Sequence, residues 1–191
     1  FQVGTRYQLQ ISPVVSGPLG SDQTEKIGFS TAVPVLVATT PVDGDTALVD
    51  LIGAIDASFD GPIDELALHA NRNVELMVSG ERVEISTPSY NAGVVSFAPV
   101  DGLKPGTAYK VRIASAVGGP LLEEPDAFTW DFSTRIPSVI ATSPVDEGNT
   151  ESGPQRLEVV FSGPVDPNLV DSRSFTLSRL GEPIVLADDE F

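Results

Sequence analysis

The chain has 191 residues, room for one or two domains, and carries 27 Asp and Glu against 11 Lys and Arg, a net charge of −16. A balance that acidic argues against nucleic acid and anionic membrane surfaces as partners, because both need a Lys/Arg face. There is no cysteine, so disulfide staples and thiolate metal sites are excluded, and no apolar run approaches the ~20 residues of a membrane-spanning helix.

Hydrophobic residues make up 41% of the chain, and there are 16 Pro and 17 Gly. That combination fits short strands joined by turns. The acidic surface reads as one that keeps an extended protein soluble and self-repelling, with a divalent cation as the sharper alternative. The chain starts at Phe1 in mid-pattern, without a basic-then-apolar signal segment. It is therefore expected to be a mature or excised piece, with secretion inferred.

In chain order, Tyr7, Leu9 and Ile11 alternate as a strand, residues 13–22 form a loop, and residues 27–31 (IGFST) close the first segment. Residues 34–37 open a new strand that ends in the turn at Thr40, Pro41, Val42, Asp43 and Gly44. Leu51, Gly53, Ile55, Ala57 and Phe59 then alternate with partly apolar outer residues. After Asp60, Gly61 and Pro62, a helical turn is expected over residues 63–70, with Ile63, Leu66 and Ala67 on one side. Further strands are expected at Val74, Leu76 and Val78, at Val83 and Ile85, and at Val95 and Phe97.

Residues 102–113 (GLKPGTAYKVRI) read as a turn feeding a strand in which Tyr109, Val111 and Ile113 face inward. The closing strand places Phe128, Trp130 and Phe132 on one face. Seven to eight short strands with turns every 8–12 residues form the pattern of a β-sandwich.

The chain also repeats itself. Gly4, Thr5, Tyr7, Leu9 and Ile11 correspond to Gly106, Thr107, Tyr109, Val111 and Ile113 at an offset of 102. Residues 37–43 correspond to 140–146 and residues 29–31 to 132–134, both at 103, and residues 59–64 correspond to 161–166 at 102. Landmarks that agree within one residue define an internal repeat. They divide the chain into the C-terminal part of one repeat at 1–32, a complete repeat at 33–135, and the N-terminal part of another at 136–191. The linkers, Ala32 with Val33 and Arg135 with Ile136, are too short for free swivelling. Incomplete repeats expose strand edges, which invite head-to-tail pairing between chains. Such a pair would still lack the equivalent of residues 90–102. Excision from a longer array is the plainer reading of the two partial ends.

The motifs at residues 34–44, 59–64, 97–111 and 132–134 together resemble the bacterial Ig-like domain of the S-layer-protein type. Leu103, Pro105, Gly106, Thr107 and Tyr109 are also similar to fibronectin type III domains. The resemblance implies tandem all-β antiparallel sandwiches in a secreted or cell-surface bacterial protein. It also implies a non-catalytic structural, spacer or assembly role, as in an S-layer, stalk, fibre or adhesin. The alternatives are an adhesive or glycan-binding module, or an accessory region of an extracellular enzyme or macroglobulin-like inhibitor.

No catalytic, cofactor-binding or metal-ligating residue is assigned. Tyr109 and Tyr7 read as tyrosine corners, and Trp130 as core, with carbohydrate stacking as its alternative. His69 is the single histidine. It stands without a G-x-S-x-G context or a second His, and reads as an exposed residue. Calcium is weighed at Asp43/Asp45, Asp146/Glu147, Asp64/Glu65, Glu123/Glu124/Asp126 and Asp188/Asp189/Glu190, since it takes 6–8 oxygens. Turn residues that bond their own backbone are the simpler account. The glycines in residues 16–20 and 117–120 read as hairpin connections, because no phosphate-loop lysine follows them. The partners expected are neighbouring Ig-like modules of the same protein.

Overall fold

The computed structural model describes residues 1–12, 24–46, 48, 51, 53–70, 72–122, 128–145, 156–171 and 173–184. Strands and turns dominate them, and every strand pairing is antiparallel. The first hairpin joins β1 (Arg6–Ile11) to β2 (Glu25–Ser30). Eight strands follow: β3 (Leu36–Thr40), β4 (Ile55–Phe59), β5 (Val74–Val78), β6 (Glu81–Val83), β7 (Ser89–Asn91), β8 (Val94–Phe97), β9 (Ala108–Ile113) and β10 (Phe128–Ser133). They form two four-stranded sheets, ordered β3-β4-β8-β7 and β10-β9-β5-β6.

Period-two alternation decides which side chains lie between the sheets. Ile55, Ala57 and Phe59 of β4 face Tyr109, Val111 and Ile113 of β9, and all six are buried. Trp130 and Phe132 enter from β10, while Phe128 packs edge-on against Phe59 with ring centroids 5.0 Å apart. Complete removal of an aromatic or branched side chain from water stabilises by ~1.5–3 kcal/mol. The two inner faces therefore hold the sandwich together.

The inward alternation of β4 begins at Ile55; Gly53 is exposed. The expected helical turn is α1 (Glu65–Leu68), capped by Asp64, whose Oδ1 accepts the Ala67 N–H at 3.0 Å. Its buried residue is Leu68; Ile63 and Ala67 pack inward as expected, while Leu66, expected beside them, is 85% exposed. Four residues make barely one turn, so packing from the preceding loop through Ile63 sets the face. The short strand β7 carries no apolar alternation; pairing to β8 makes it a strand.

The chain changes sheets after the cis Thr40–Pro41 bond. Residues 43–46 and Leu48 leave β3 and run parallel to β10. The N–H groups of Gly44 and Ser133 donate to the carbonyls of Asp131 (2.7 Å) and Asp45 (2.6 Å), and Leu48 bridges Thr134. This covers an edge that β10 otherwise leaves unpaired.

Three hairpins reproduce pieces of this sandwich. Tyr7 pairs with Phe29 and Leu9 with Ile27, as Tyr109 pairs with Phe132 and Val111 with Trp130. Strands β11 (Val139–Ser143) and β12 (Glu158–Phe161) pair as β3 and β4 do, with the register shift between Val139 and Ala141 matching that between Leu36 and Ala38. The Ser143–Pro144 bond is cis, like Thr40–Pro41. Strands β13 (Leu177–Arg179) and β14 (Glu182–Ile184) pair Leu177 with Ile184, as β5 and β6 pair Leu76 with Val83. Both hairpins turn through two residues of positive φ, Ser79 and Gly80 in one, Leu180 and Gly181 in the other. That is the turn whose twist suits a two-residue hairpin.

Candidate functional site

The side chains best suited to chemistry serve the backbone. Tyr109 is 4% exposed, and its Oη accepts the Lys104 N–H at 2.7 Å. Its ring stacks on Phe132 at 5.3 Å. Tyr7 does the same with the Gln2 N–H (2.6 Å) and Phe29 (5.4 Å). Both are tyrosine corners, as the sequence indicates. Thr134 Oγ1 accepts the Thr107 N–H at 2.9 Å and donates to the Lys104 carbonyl at 2.6 Å. Thr31 makes the matching bonds to Thr5 (2.8 Å) and Gln2 (2.7 Å). Trp130 is 2% exposed, and its Nε1 has no hydrogen-bond partner among the described residues.

Three aspartates are occupied in the same way. Asp43 Oδ1 accepts the Asp131 N–H at 3.0 Å and Asp60 Oδ1 accepts the Val35 N–H at 2.7 Å, while Asp64 caps α1. Asp146, Glu147, Glu123, Glu124, Asp126, Asp188, Asp189 and Glu190 lie outside the described residues, as do the glycines of residues 16–20. Among the described residues no cluster of three or more His, Asp or Glu is placed to hold a metal ion. His69 is exposed at the end of α1.

Two acids beyond the complete sandwich hold their carboxyls below the ordinary value of 3.8. Asp166 does so through the Asn168 backbone N–H and then its side-chain amide, and Asp171 chiefly through the Arg173 N–H. Each hydrogen bond favours the charged form.

Sequence reasoning passed over Glu75. Its carboxylate, one-tenth exposed, is held between Arg82 and Arg112 on the outer face of the β10-β9-β5-β6 sheet. Alternation alone marks Glu75 as outward and does not reveal that two arginines on neighbouring strands converge on it. A shallow groove of about 350 Å³ lies on the same face, lined by Met77, Ala108, Lys110 and Asp131. The polar ends of Lys110 and Asp131 pair with each other at 3.6 Å.

The best-built feature is the joint between the β1–β2 hairpin and the sandwich. The turn at Val3 and Gly4 sits against Gly118 and Gly119, and the Gly4 carbonyl accepts the Leu121 N–H at 2.7 Å. A Cβ on Gly4 would lie 2.2 Å from the Gly118 oxygen, and one on Gly119 would lie 2.0 Å from the Val3 oxygen. Only two glycines allow the backbones to approach this closely. The residues between the units are hydrogen-bonded too: Gly4 N–H donates to Ala32 and Gly106 N–H to Arg135, each at 3.0 Å. At the other end, Leu48, Leu51 and Pro105 line a small cleft with Pro137, Gly163 and Pro164.

The bacterial Ig-like domain family matches residues 30–134. Among curated proteins none matches the chain. Three solved structures are similar to parts of this chain, each at TM-score 0.38. The S-layer protein rSbsC(31-844) is 15% identical over 58% of this chain and 15% of its own. The N-terminal part of the bacterial S-layer protein SbsC is 16% identical over 58% of this chain and 25% of its own. The LD transpeptidase LdtMt1, in complex with imipenem, is 18% identical over 56% and 42%. The match thus spans less than half the length of each of these proteins. The family match covers more than half of this chain, and coincides with the two-sheet sandwich, its tyrosine corner and its sheet-switching first strand: the chain belongs to the bacterial Ig-like domain family.

Proposed function

We propose that this chain is a non-catalytic structural segment, a semi-rigid spacer or assembly element, of a secreted or cell-surface bacterial protein. In this reading one complete Ig-like module is flanked by parts of two others, at 1–32 and 136–191. The supporting observation is the joint at Gly4 and Gly119. Its backbone contacts fix one unit against the next, where a flexible tether would need none. The acidic surface, with a net charge of −16, suits an extended protein whose copies repel one another in solution. No helix among the described residues is long and apolar enough to cross a membrane.

Backbone ¹⁵N relaxation of the whole chain tests the spacer. The β1–β2 hairpin and the eight-stranded sandwich are expected to share one rotational correlation time; independent tumbling would overturn the semi-rigid reading. One observation favours the glycan-binding alternative: the exposed Phe1 and Phe29 and the half-buried Tyr7 form an aromatic trio, with Phe1–Tyr7 centroids 4.9 Å apart. Phe29 is the counterpart of Phe132, a core ring, so the trio is assigned to packing. Saturable quenching of tyrosine fluorescence by a cell-wall oligosaccharide would reverse that assignment.

A further inference from the structure

The groove on the outer face of the β10-β9-β5-β6 sheet has walls that the backbone fixes, and all its residues belong to the complete sandwich. One wall is the segment that runs beside β10. There the Asp45 N–H donates to the Val42 carbonyl at 3.0 Å, and the Asp45 carbonyl accepts the Ser133 N–H at 2.6 Å. The other wall is the β5–β6 turn, where Gly80 has φ of +86° and open space in place of a Cβ. Between them Met77 and the short side chain of Ala108 make an apolar floor, with Lys110 and Asp131 beside it. The groove is particular to this module. At the place of Ala108 the first repeat has Arg6, at the offset of 102, whose longer side chain would cover such a floor. At about 350 Å³ the groove is at the small end of the ~300–1,000 Å³ typical of ligand pockets, room for one long side chain.

We propose that this groove binds a basic segment of a partner protein, taking one arginine or lysine side chain. The methylene stem lies over Met77 and Ala108, and the charged head turns toward Asp45 and Asp131. Charge complementarity selects this occupant at two scales. Asp45 and Asp131 set two carboxylates in the lining against the one ammonium of Lys110, and the whole chain carries a net charge of −16. The local field holds a cation and the long-range field draws it in. The Lys110–Asp131 contact leaves room for the guest. At 3.6 Å, with side chains 53% and 64% exposed, it is a solvated pair of the weakly held kind, and Asp131 can share its charge with a second cation. An acidic partner meets the wrong field, and a purely apolar one would strip water from the carboxylates without replacing it. This inference goes beyond the spacer role and needs no neighbouring module.

The test is an NMR titration of the whole ¹⁵N-labelled chain with three probes: a short peptide whose central arginine is flanked by leucines, the same peptide with neutral citrulline in place of arginine, and a glucosamine trisaccharide. The arginine peptide is expected to give saturable shifts at the Gly80, Lys110 and Ser133 amides, weakening as salt rises. The citrulline peptide should bind at least about fivefold more weakly. Asp45→Asn combined with Asp131→Asn should cost a similar factor. Ala108→Leu, which fills the exposed floor without changing charge, should abolish saturation. Asp56→Asn, outward on β4 of the other sheet, should change nothing. Unchanged Trp130 emission in each variant reports an intact sandwich. Equal binding of the two peptides, or shifts spread over acidic residues of both sheets, would overturn the site. Tighter binding of the amino sugar than of the arginine peptide would overturn the protein partner and make the groove a glycan site. None of these outcomes bears on the relaxation test of the spacer, so the two readings fail separately.

Discussion

Thr134 and Tyr109 hold the chain reversal before β9 through three hydrogen bonds to the backbone of residues 104–107. Tyr109→Phe keeps the ring stack and leaves the Lys104 N–H without its acceptor, at an expected cost of about 1 kcal/mol. Thr134→Val strips partners from a donor and an acceptor together, and roughly 2–3 kcal/mol is expected. Urea unfolding followed by Trp130 emission reads both, because the single tryptophan leaves a buried site on unfolding. Glu75→Gln should weaken the outer sheet face through its loss of charge between Arg82 and Arg112. High salt should reduce the difference from the parent chain. Asp166 sets a pH dependence of known sign. Its folded pKa lies below 3.8, so its contribution to the turn at Pro167–Leu169 is complete above that value and lost as pH falls through the folded pKa. The Asn168 amide resonance should titrate with a midpoint under 3.8. The core roles of Tyr109 and Trp130 were legible from alternation alone. The role of Glu75 was not, because Arg112 comes from a strand distant in sequence and only the sheet brings it and Arg82 to the same carboxylate.

At the scale of elements, the two-glycine joint is the most exacting feature. Gly119 combines φ of +88° with a backbone oxygen 2.0 Å from where a Cβ would sit. Gly119→Ala should therefore open the joint while sparing the sandwich. Hydrogen exchange at the Leu121 amide should speed up about tenfold or more, with β4 and β9 amides unchanged. Sequence repetition located β1 with β2 through the GT-x-Y and F-S-T landmarks, and β11 with β12 through the matches at 140–146 and 161–166; it did not locate β13 and β14. Nor did it reveal residues 43–46 and Leu48 as a partner of β10. Those hydrogen bonds run backbone to backbone, and only the Asp43 carboxylate on the Asp131 N–H leaves a side-chain mark. Strand β7 was invisible for a related reason: Ser89 and Asn91 are polar, and pairing with β8 alone holds them in line.

For the whole molecule, the consequence of residues 43–46 and Leu48 lying parallel to β10 appears when the chain is stretched. Force pulls the start of the sandwich toward the N-terminus and its end toward the C-terminus. In a parallel pair these two pulls slide the strands along each other. The bonds from Gly44 to Asp131, Asp45 to Ser133 and Leu48 to Ser133 and Arg135 then bear the load together, where an antiparallel hairpin would open one bond at a time. This short segment acts as a shear clamp, and the module should yield in one abrupt step. Freeing residues 36–133 should add roughly 350 Å of extended chain at ~3.6 Å per residue. Leu48→Pro, which removes one donor from the clamp, should lower the rupture force in single-molecule pulling far more than it lowers the unfolding temperature. In the spacer role proposed above tension would run along the chain, and residues 43–46 with Leu48 would set how much of it this module withstands before it lengthens.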